Sequence, residues 1–575
     1  MPILDWVGKE KVVNHHREVP YMVMDFKYSF NENEISDDEF LSENKLIKGD
    51  NLEALKSLLP QYENNIKLAY CDTVYNTGNE QWVYNDNVNH PKIKKWLGNV
   101  VGPEGEDLSR HDKWLCMMYP RLKLIHKLLS NEGFIFCSID DNSQAIYKLM
   151  CDEIFGSNNF IACLPTIMNL KGNQDQFGFA GTHEYTLVYA KNKKECKFNE
   201  FDIDENEVMN VWDIDSYGYY KKGASLRASG VDGPREKRQQ MYFPFLLKNN
   251  KVSMIKDAEY EKIYNSEKDE FDDNYVETLR KKYEDEGYEF ILPISDNGVK
   301  VRWRWGWNND TKRKVKNGEI LIVRSRNNIS LYKKQRPELG DLPTRKPKTL
   351  FYKPEYSSGN GTELLKKIFK DKVFENPKPL QLMKDFIHIA TDDGDIVLDP
   401  WAGSGTISQA ILEMNKENNQ DRKFILIEME DYAESITAER IKKVIKGFAD
   451  NEGTGGNFSF YEIGQPLLIN NEYINENLEI DKIRDYIFFT ETRNSINKEK
   501  LSTDNKYFLG ENNNAAYYFY YEKGKISTLN HEFLSTIKTK AETYIIYADT
   551  SVLSESELSK YNIVFKKTPR DITRL

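Results

Sequence analysis

The stretch DIVLDPWAGSGT, Asp395–Thr406, decides the fold. A run of strand character, Asp395–Leu398, enters a glycine-rich turn, and helical spacing extends from Thr406 to Met414. Gly403 and Gly405 permit a tight turn and let a ligand approach the backbone closely. The helix that follows offers free N–H groups and the positive end of its dipole. Such a turn suits a nucleotide or the carboxylate of an amino acid. It lacks the lysine of a phosphate-binding P-loop, which disfavours ATP. The next strand, Lys423–Ile427, ends at Glu428, the place where an acid grips ribose hydroxyls in Rossmann-like sheets.

The same α/β pattern recurs upstream. Asn51–Leu59 and Trp114–Leu129 have helical spacing. Ile66–Cys71, Gly133–Ile139 and Tyr185–Tyr189 read as strands, the first ending at Asp72. From about 200 to 345 the chain is rich in Lys, Asp, Glu, Tyr and Asn. These shifts predict an N-terminal arm (1–40), an α/β half (41–200), an insert (201–345), a second α/β half (346–450) and a separate C-terminal domain (451–575) that starts at the linker-like NEGTGGN. Within the insert, RWRWGW (Arg302–Trp307) predicts a strand with tryptophans on one face and arginines on the other. Its rings serve either core packing or stacking on a base, with Arg302, Arg304 and Trp305 as candidate DNA contacts. Lys312 and Arg313 in TKRKVK and Arg345 in TRKPK are further candidates.

Composition narrows the class. The chain has 575 residues, a net charge of -11 and 13% aromatics. The charge argues against a protein that coats nucleic acid non-specifically and leaves open an enzyme with a local basic patch. No apolar run reaches membrane length and no secretory signal is visible, which predicts a cytoplasmic protein. The six cysteines lack CxxC or zinc spacing, so reduced thiols and no metal are expected.

DPWAGSGT and the acid after the next strand resemble motif I and the ribose acid of amino-methylating DNA methyltransferases. That resemblance implies a Rossmann-like, S-adenosylmethionine-dependent fold. Asp399, Pro400, Trp401, Gly403, Ser404, Gly405, Thr406 and Glu428 would hold the cofactor. NPKPLQLMKDFI (Asn376–Ile387) resembles the segment packed beneath the methionine moiety, with Lys378 in its core, and LIKGDNL (Leu46–Leu52) resembles a turn that brings Asp50 and Asn51 to the pocket. DTVYNTGNE (Asp72–Glu80) resembles the family's DPPY signature. There Asp72 and the Thr73 carbonyl would accept the hydrogens of an adenine amine, Tyr75 would stack on the flipped base, and Asn76 would shape the loop and touch DNA. Thr73 and Val74 stand where the family has prolines, so the stiffening of a fixed φ is lost. Three readings stay open: an active variant, an inactive relative that still binds DNA, and a sequence altered to stop catalysis. A cytosine-N4 enzyme would usually carry Ser at Asp72.

The catalytic motif precedes the cofactor motif, a circularly permuted order that resembles the beta class, whose intervening segment is the target recognition domain. PILDWVGKEKVVNHHREVPY (Pro2–Tyr21), HEYTLVYAK (His183–Lys191), DYIFFTET (Asp485–Thr492) and the C-terminal Tyr544–Lys567 resemble modification subunits of type III restriction–modification systems. This implies N6-adenine methylation of double-stranded DNA, a homodimer and a helicase–nuclease restriction partner. A solitary or type II methyltransferase and a non-catalytic recognition subunit are the alternatives. His183 reads either as a capped strand end or as part of a loop near the base pocket.

Overall fold

The structure, a computed structural model, describes residues 4–32, 34–75, 95, 110–169, 171, 172, 178–203, 212–325, 328–337, 343–469, 472–494, 496, 497, 501 and 504–569. The chain divides into two compact units, Met1–Asn199 with Lys348–Leu575, and Glu200–Pro347.

The first unit is built on a ten-stranded sheet. Its strands are β1 (Met22–Asn31), β2 (Glu34–Ser36), β3 (Lys45–Lys48), β4 (Ile66–Asp72), β5 (Leu129–Ile139), β6 (Phe160–Ile167), β7 (His183–Ala190), β8 (Ile396–Asp399), β9 (Lys423–Glu428) and β10 (Asn457–Pro466). They lie in the order β2-β1-β10-β3-β9-β8-β4-β5-β7-β6. β10, β3, β9, β8, β4 and β5 are mutually parallel. β1 and β7 run antiparallel to their neighbours. Parallel strands covered on both faces need continuous apolar runs, and β4 and β9 are buried along nearly their whole length. Helices α1 (Asn51–Tyr62), α2 (Arg110–Leu128), α3 (Gln144–Cys151), α4 (Leu380–Ala390), α5 (Thr406–Asn418) and α6 (Glu439–Lys446) belong to the same unit.

One pairing decides where a site can form. β4 and β8, distant in sequence, are adjacent and parallel, with Leu68 opposite Val397 and Ala69 opposite Leu398. From this pair β9 and β3 lie to one side and β5 and β7 to the other. The chain order therefore reverses at β8/β4, and the carboxyl ends of both strands open on one crevice, the usual ligand position in such sheets.

The boundaries read from sequence are redrawn at both ends of the chain. The expected N-terminal arm supplies β1, whose backbone pairs with β10 from Met22 to Asn31. The expected separate C-terminal domain lies in the same unit as the sheet, and its strand β10 is part of that sheet. Val23 of β1 also shares an apolar cluster with Ile483, Ile487 and Phe488 of the helix Ile480–Thr492. Beyond that helix comes a four-stranded sheet of Phe508–Asn512, Ala515–Phe519, Thr543–Ala548 and Ile563–Lys567.

The second unit has its own core, in which Trp303, Tyr242, Phe243, Phe245 and Leu279 are buried. RWRWGW forms no regular strand there. Val301 and Trp303 make isolated bridges to Pro234 and Arg227, and the chain bends at 304 and 305. The alternation of faces is lost with the extended backbone. Trp303 donates to the Phe243 carbonyl (2.7 Å), while Trp305 and Trp307 pack against the same core.

Cys71, Cys116, Cys137, Cys151, Cys163 and Cys196 are all free thiols, and the first four are buried. No group of residues that could hold a metal ion occurs among the described residues. No helix among them is long and apolar enough to cross a membrane.

Candidate active site

Asp72 is the last residue of β4, and Tyr75 stands three residues on. Tyr75 Oη lies 3.2 Å from Asp72 Oδ1 and 3.0 Å from Glu184 Oε2, so its proton is shared between two carboxylates. Lys378 Nζ reaches into the same cluster, 2.5 Å from Tyr75 Oη, 3.2 Å from Asp72 Oδ1, and 2.8 and 3.0 Å from the two Glu184 oxygens. Lys378 and Glu184 side chains are only 11% and 12% exposed, which leaves water little part in balancing their charges. Burial pushes the Asp72 carboxyl above its usual range, against the pull of the Lys378 ammonium. The paired carboxylates raise Lys378 above its ordinary value despite burial.

The loop after β4 lacks its prolines but is anchored by packing. Thr73 and Val74 are buried, and the Trp114 indole N–H donates to the Val74 carbonyl at 2.8 Å. Trp114 is itself fully buried on α2, edge-on to Tyr147. The Val74 carbonyl is committed in this way. A Trp114→Phe variant leaves that buried carbonyl with only the longer contact from the Thr73 hydroxyl (3.4 Å), a cost of about 1–3 kcal/mol. The expected result is a fold retained by circular dichroism and faster proteolytic nicking at 72–76 in time-resolved digestion; an unchanged nicking rate would show that the anchor does not hold the loop.

The glycine turn after β8 has the backbone its sequence demands. Gly403 and Gly405 have φ of 52° and 78°, and Gly405 caps the start of α5. A Cβ on Gly405 would sit 3.1 Å from Thr437 Cγ2. Glu428, at the end of β9 and 2% exposed, accepts the Gly403 N–H (2.8 Å) on one oxygen and the Glu430 N–H (3.0 Å) on the other. Asp399 accepts the Trp401 N–H at 3.1 Å. Burial raises the Asp399 carboxyl well above the usual range, and the nearby Asp72 and Glu428 charges add to the rise. Pro400 is buried, as are Trp401, Ser404 and Thr406. The turn from β3 into α1 closes the same end: Asp50 caps α1 through the Leu52 N–H (2.7 Å), and Asn51 Nδ2 donates to the Pro400 carbonyl (3.0 Å).

Of the expected residues, the fold thus brings Asp50, Asn51, Asp72, Thr73, Val74, Tyr75, Lys378, Asp399–Thr406 and Glu428 to the carboxyl ends of four neighbouring strands. Lys378, expected beneath a cofactor, has its amine turned to Asp72 and Glu184. His183 is exposed beside Tyr185, 3.1 Å from its hydroxyl, whereas its neighbour Glu184 enters the cluster. Asn76 lies outside the described residues.

Three basic or polar partners escaped the sequence reading. Glu184 is one. Arg121 of α2 bonds Asn51 Oδ1 (2.5 Å) and Asp50 Oδ1 (3.1 Å). Arg440 of α6, fully buried, donates to Ser404 Oγ (2.8 Å), Thr406 Oγ1 (2.9 Å) and Gln409 Oε1 (2.9 Å) beneath the glycine turn. Only the charge of an arginine on a mostly apolar helix face marks either of them in sequence.

In the second unit, Arg302 donates to the Asp232 carbonyl (2.8 Å), and Lys312 and Arg313 pair with Asp257 and Asp310. Arg304 and Arg345 are exposed, and Trp305 is half-buried beneath Lys314.

The N6/N4 methyltransferase family, described as DNA methylase, matches residues 66–439. This span holds both the Asp72 loop and the Asp399–Glu428 turn, and it covers more than half of the chain. The chain belongs to the N6/N4 DNA methylase family. Among curated relatives, the type III restriction–modification enzyme EcoPI Mod subunit of Escherichia phage P1 is 39% identical over 70% of this chain and 62% of its own length. The EcoP15I Mod subunit of Escherichia coli is 29% identical over 68% of this chain and 59% of that protein. The type II methyltransferase M.KpnI of Klebsiella pneumoniae is 26% identical over 72% of this chain and 89% of that enzyme. The chain thus spans about three-fifths of the length of the two Mod subunits.

Proposed function

We propose that this methylase transfers a methyl group from S-adenosylmethionine to N6 of an adenine flipped out of duplex DNA, as the modification and recognition subunit of a type III system. The observation that carries this reading is the adjacency of Asp72, Asp399 and Glu428 at the carboxyl ends of β4, β8 and β9.

The acidic donor set suits the cofactor. S-adenosylmethionine is cationic at its sulfonium and amino groups, and its ribose offers hydroxyl donors. The Glu428 carboxylate, held beside the glycine turn by the Gly403 and Glu430 N–H groups, is an acceptor of the kind ribose hydroxyls need. Gly403, Gly405 and the start of α5 supply a close backbone approach and a positive dipole end for the amino-acid carboxylate. When bound, the cofactor supplies an electrophilic methyl group.

The remaining work falls to the chain. Asp72 Oδ1 is held by Lys378 and Tyr75, which leaves Oδ2 to accept one N6 hydrogen. The Thr73 carbonyl accepts the other, and the amine lone pair is freed from the purine ring. Tyr75 stacks on the base. The Glu200–Pro347 unit serves as target recognition domain, with Arg304 and Arg345 as exposed DNA contacts, Arg302, Lys312 and Arg313 as further ones, and Trp305 as a stacking ring. The Mod subunits it resembles are parts of type III restriction–modification enzymes, which favours a homodimer and a helicase–nuclease partner.

The test is incubation of the protein with unmethylated genomic DNA and methyl-labelled cofactor, followed by digestion to nucleosides. Label in N6-methyl-2′-deoxyadenosine is the expected result. Label in N4-methyl-2′-deoxycytidine would overturn the target, and no label even after Thr73→Pro with Val74→Pro would leave a non-catalytic recognition subunit. A solitary type II enzyme is the second reading, favoured by the near-complete span of M.KpnI. Copurification of a helicase–nuclease with the native protein separates the two.

A further inference from the structure

We infer that Glu184, acting through Lys378, is a positioning residue that keeps one oxygen of Asp72 turned away and the other open to substrate. The inference rests on the reading of Asp72 as the acceptor of the N6 hydrogens.

Lys378 lies on the segment that leads into α4, Glu184 on β7, and Asp72 and Tyr75 on the loop after β4. These elements meet at one buried ammonium. Its three hydrogens find Glu184, Tyr75 and Asp72 at 2.8, 2.5 and 3.2 Å. The contact to Asp72 is the longest of the three, and Glu184 offers both of its oxygens. The geometry is that of a cation held back from Asp72 by a second carboxylate. Tyr75 is oriented by the same pair, since its hydroxyl accepts from Lys378 and faces both acids.

Without Glu184, the ammonium has Asp72 as its remaining carboxylate partner. A buried ion pair with one partner removed is driven to complete itself with the other. Lys378 would then close on Asp72 and compete with the adenine amine for the open oxygen. It would also release the Tyr75 hydroxyl from one of its two acceptors. Both changes misplace the groups that touch the base, and neither touches the glycine turn or Glu428.

The electrostatics make this separable from simple loss of packing. Asp72 is faced by Tyr75 on its own loop, Tyr70 on β4, Glu184 on β7, Lys378 ahead of α4 and Asp399 at the end of β8. Glu184 raises the Asp72 carboxyl and Lys378 lowers it. Removal of the Glu184 charge therefore moves the acid limb of the reaction, below which Asp72 is protonated, to lower pH. Removal of the Lys378 charge moves it to higher pH. The same Glu184 charge raises Lys378, so its loss lets that amine deprotonate at lower pH.

The experiment compares the full-length wild type with Glu184→Gln, Glu184→Asp and Lys378→Met. Gln retains the size and hydrogen-bonding capacity of Glu184, and a melting curve checks its fold. The first readout is methyl transfer to unmethylated genomic DNA across pH. For Glu184→Gln we expect the rate to fall by about 10²-fold, as for a misplaced reacting group. The acid limb should shift to lower pH, and sinefungin, used as a cofactor-site probe, should bind within twofold of wild type by calorimetry. Glu184→Asp, which keeps the charge, should return the limb towards its wild-type position, and Lys378→Met should shift it the opposite way. The second readout needs no turnover: acetic anhydride labelling of Lys378, followed by mass spectrometry against pH, should begin at lower pH in Glu184→Gln. An unshifted labelling profile, or a slower rate with an unmoved acid limb, overturns the inference. If the wild type transfers no methyl group, the functional reading fails, and the labelling profile still decides whether Glu184 controls Lys378.

Discussion

Replacement of Asp72 by alanine is expected to lower methyl transfer by about 10³-fold or more, with cofactor binding unchanged within about twofold. The adenine amine is a weak nucleophile because its lone pair belongs to the ring. Only an acceptor positioned on its hydrogens draws that pair back onto nitrogen. Asp72, at the end of β4, is the charged acceptor proposed for that role beside the Thr73 carbonyl, and the carbonyl of Val74 is already taken by Trp114. Asp72→Asn is the sharper variant, because it preserves shape and removes charge. Its amide presents one acceptor oxygen to the Lys378 and Tyr75 donors, leaving an N–H group to face the substrate N–H. A rate within tenfold of wild type for either variant, measured with saturating cofactor, would remove Asp72 from the chemistry. Equal loss of sinefungin affinity would instead make it part of the cofactor site.

Glu428→Ala carries the second large effect, on binding. Its carboxylate holds the Gly403 and Glu430 N–H groups at 2.8 and 3.0 Å, both bonds to a charged acceptor. Each such bond contributes about 1.5–3 kcal/mol. The turn relaxes when they go, and the hydroxyl acceptor of the ribose goes with them. Cofactor affinity should fall by about 10²-fold or more in calorimetry, with a lower melting temperature even in the absence of ligand. Glu428→Gln retains acceptance at one oxygen, so it should fall between the two. A Glu428→Ala protein that binds cofactor normally would show that the pocket lies elsewhere.

Much of this site was readable because it is local. A strand, a turn and a helix within a dozen residues specify Asp399, Gly403 and Gly405, and strand ends specify Asp72 and Glu428. What escaped depends on distance. Glu184 meets Lys378 across the fold, and nothing in HEYTLVYAK distinguishes the glutamate from the histidine beside it until β7 is paired with β5. Trp114 and Arg440 act from helix faces whose apolar spacing describes burial alone. RWRWGW shows the converse failure. Its alternation resembles a strand, but the large rings gain more by entering the core around Phe243 and Phe245 than the backbone gains by extending. The terminal segments were misjudged for a similar reason: β1 and β10 complete one another, and neither shows a partner in its own sequence.

The pairing of β4 with β8 also sets a timetable. β4 ends at residue 72, and its neighbour begins at residue 396, after the whole Glu200–Pro347 unit. A ribosome adding roughly 5–20 residues per second therefore needs tens of seconds to deliver the strand that covers the open edge of β4. During that interval the nascent chain holds half of a sheet whose apolar edge can recruit other strands. The Glu200–Pro347 unit, whose own core is drawn from a contiguous stretch, can be complete before β4 has found its partner. Newly synthesised molecules thus pass through a period in which the Asp72 loop and the Asp399–Thr406 turn are not yet together.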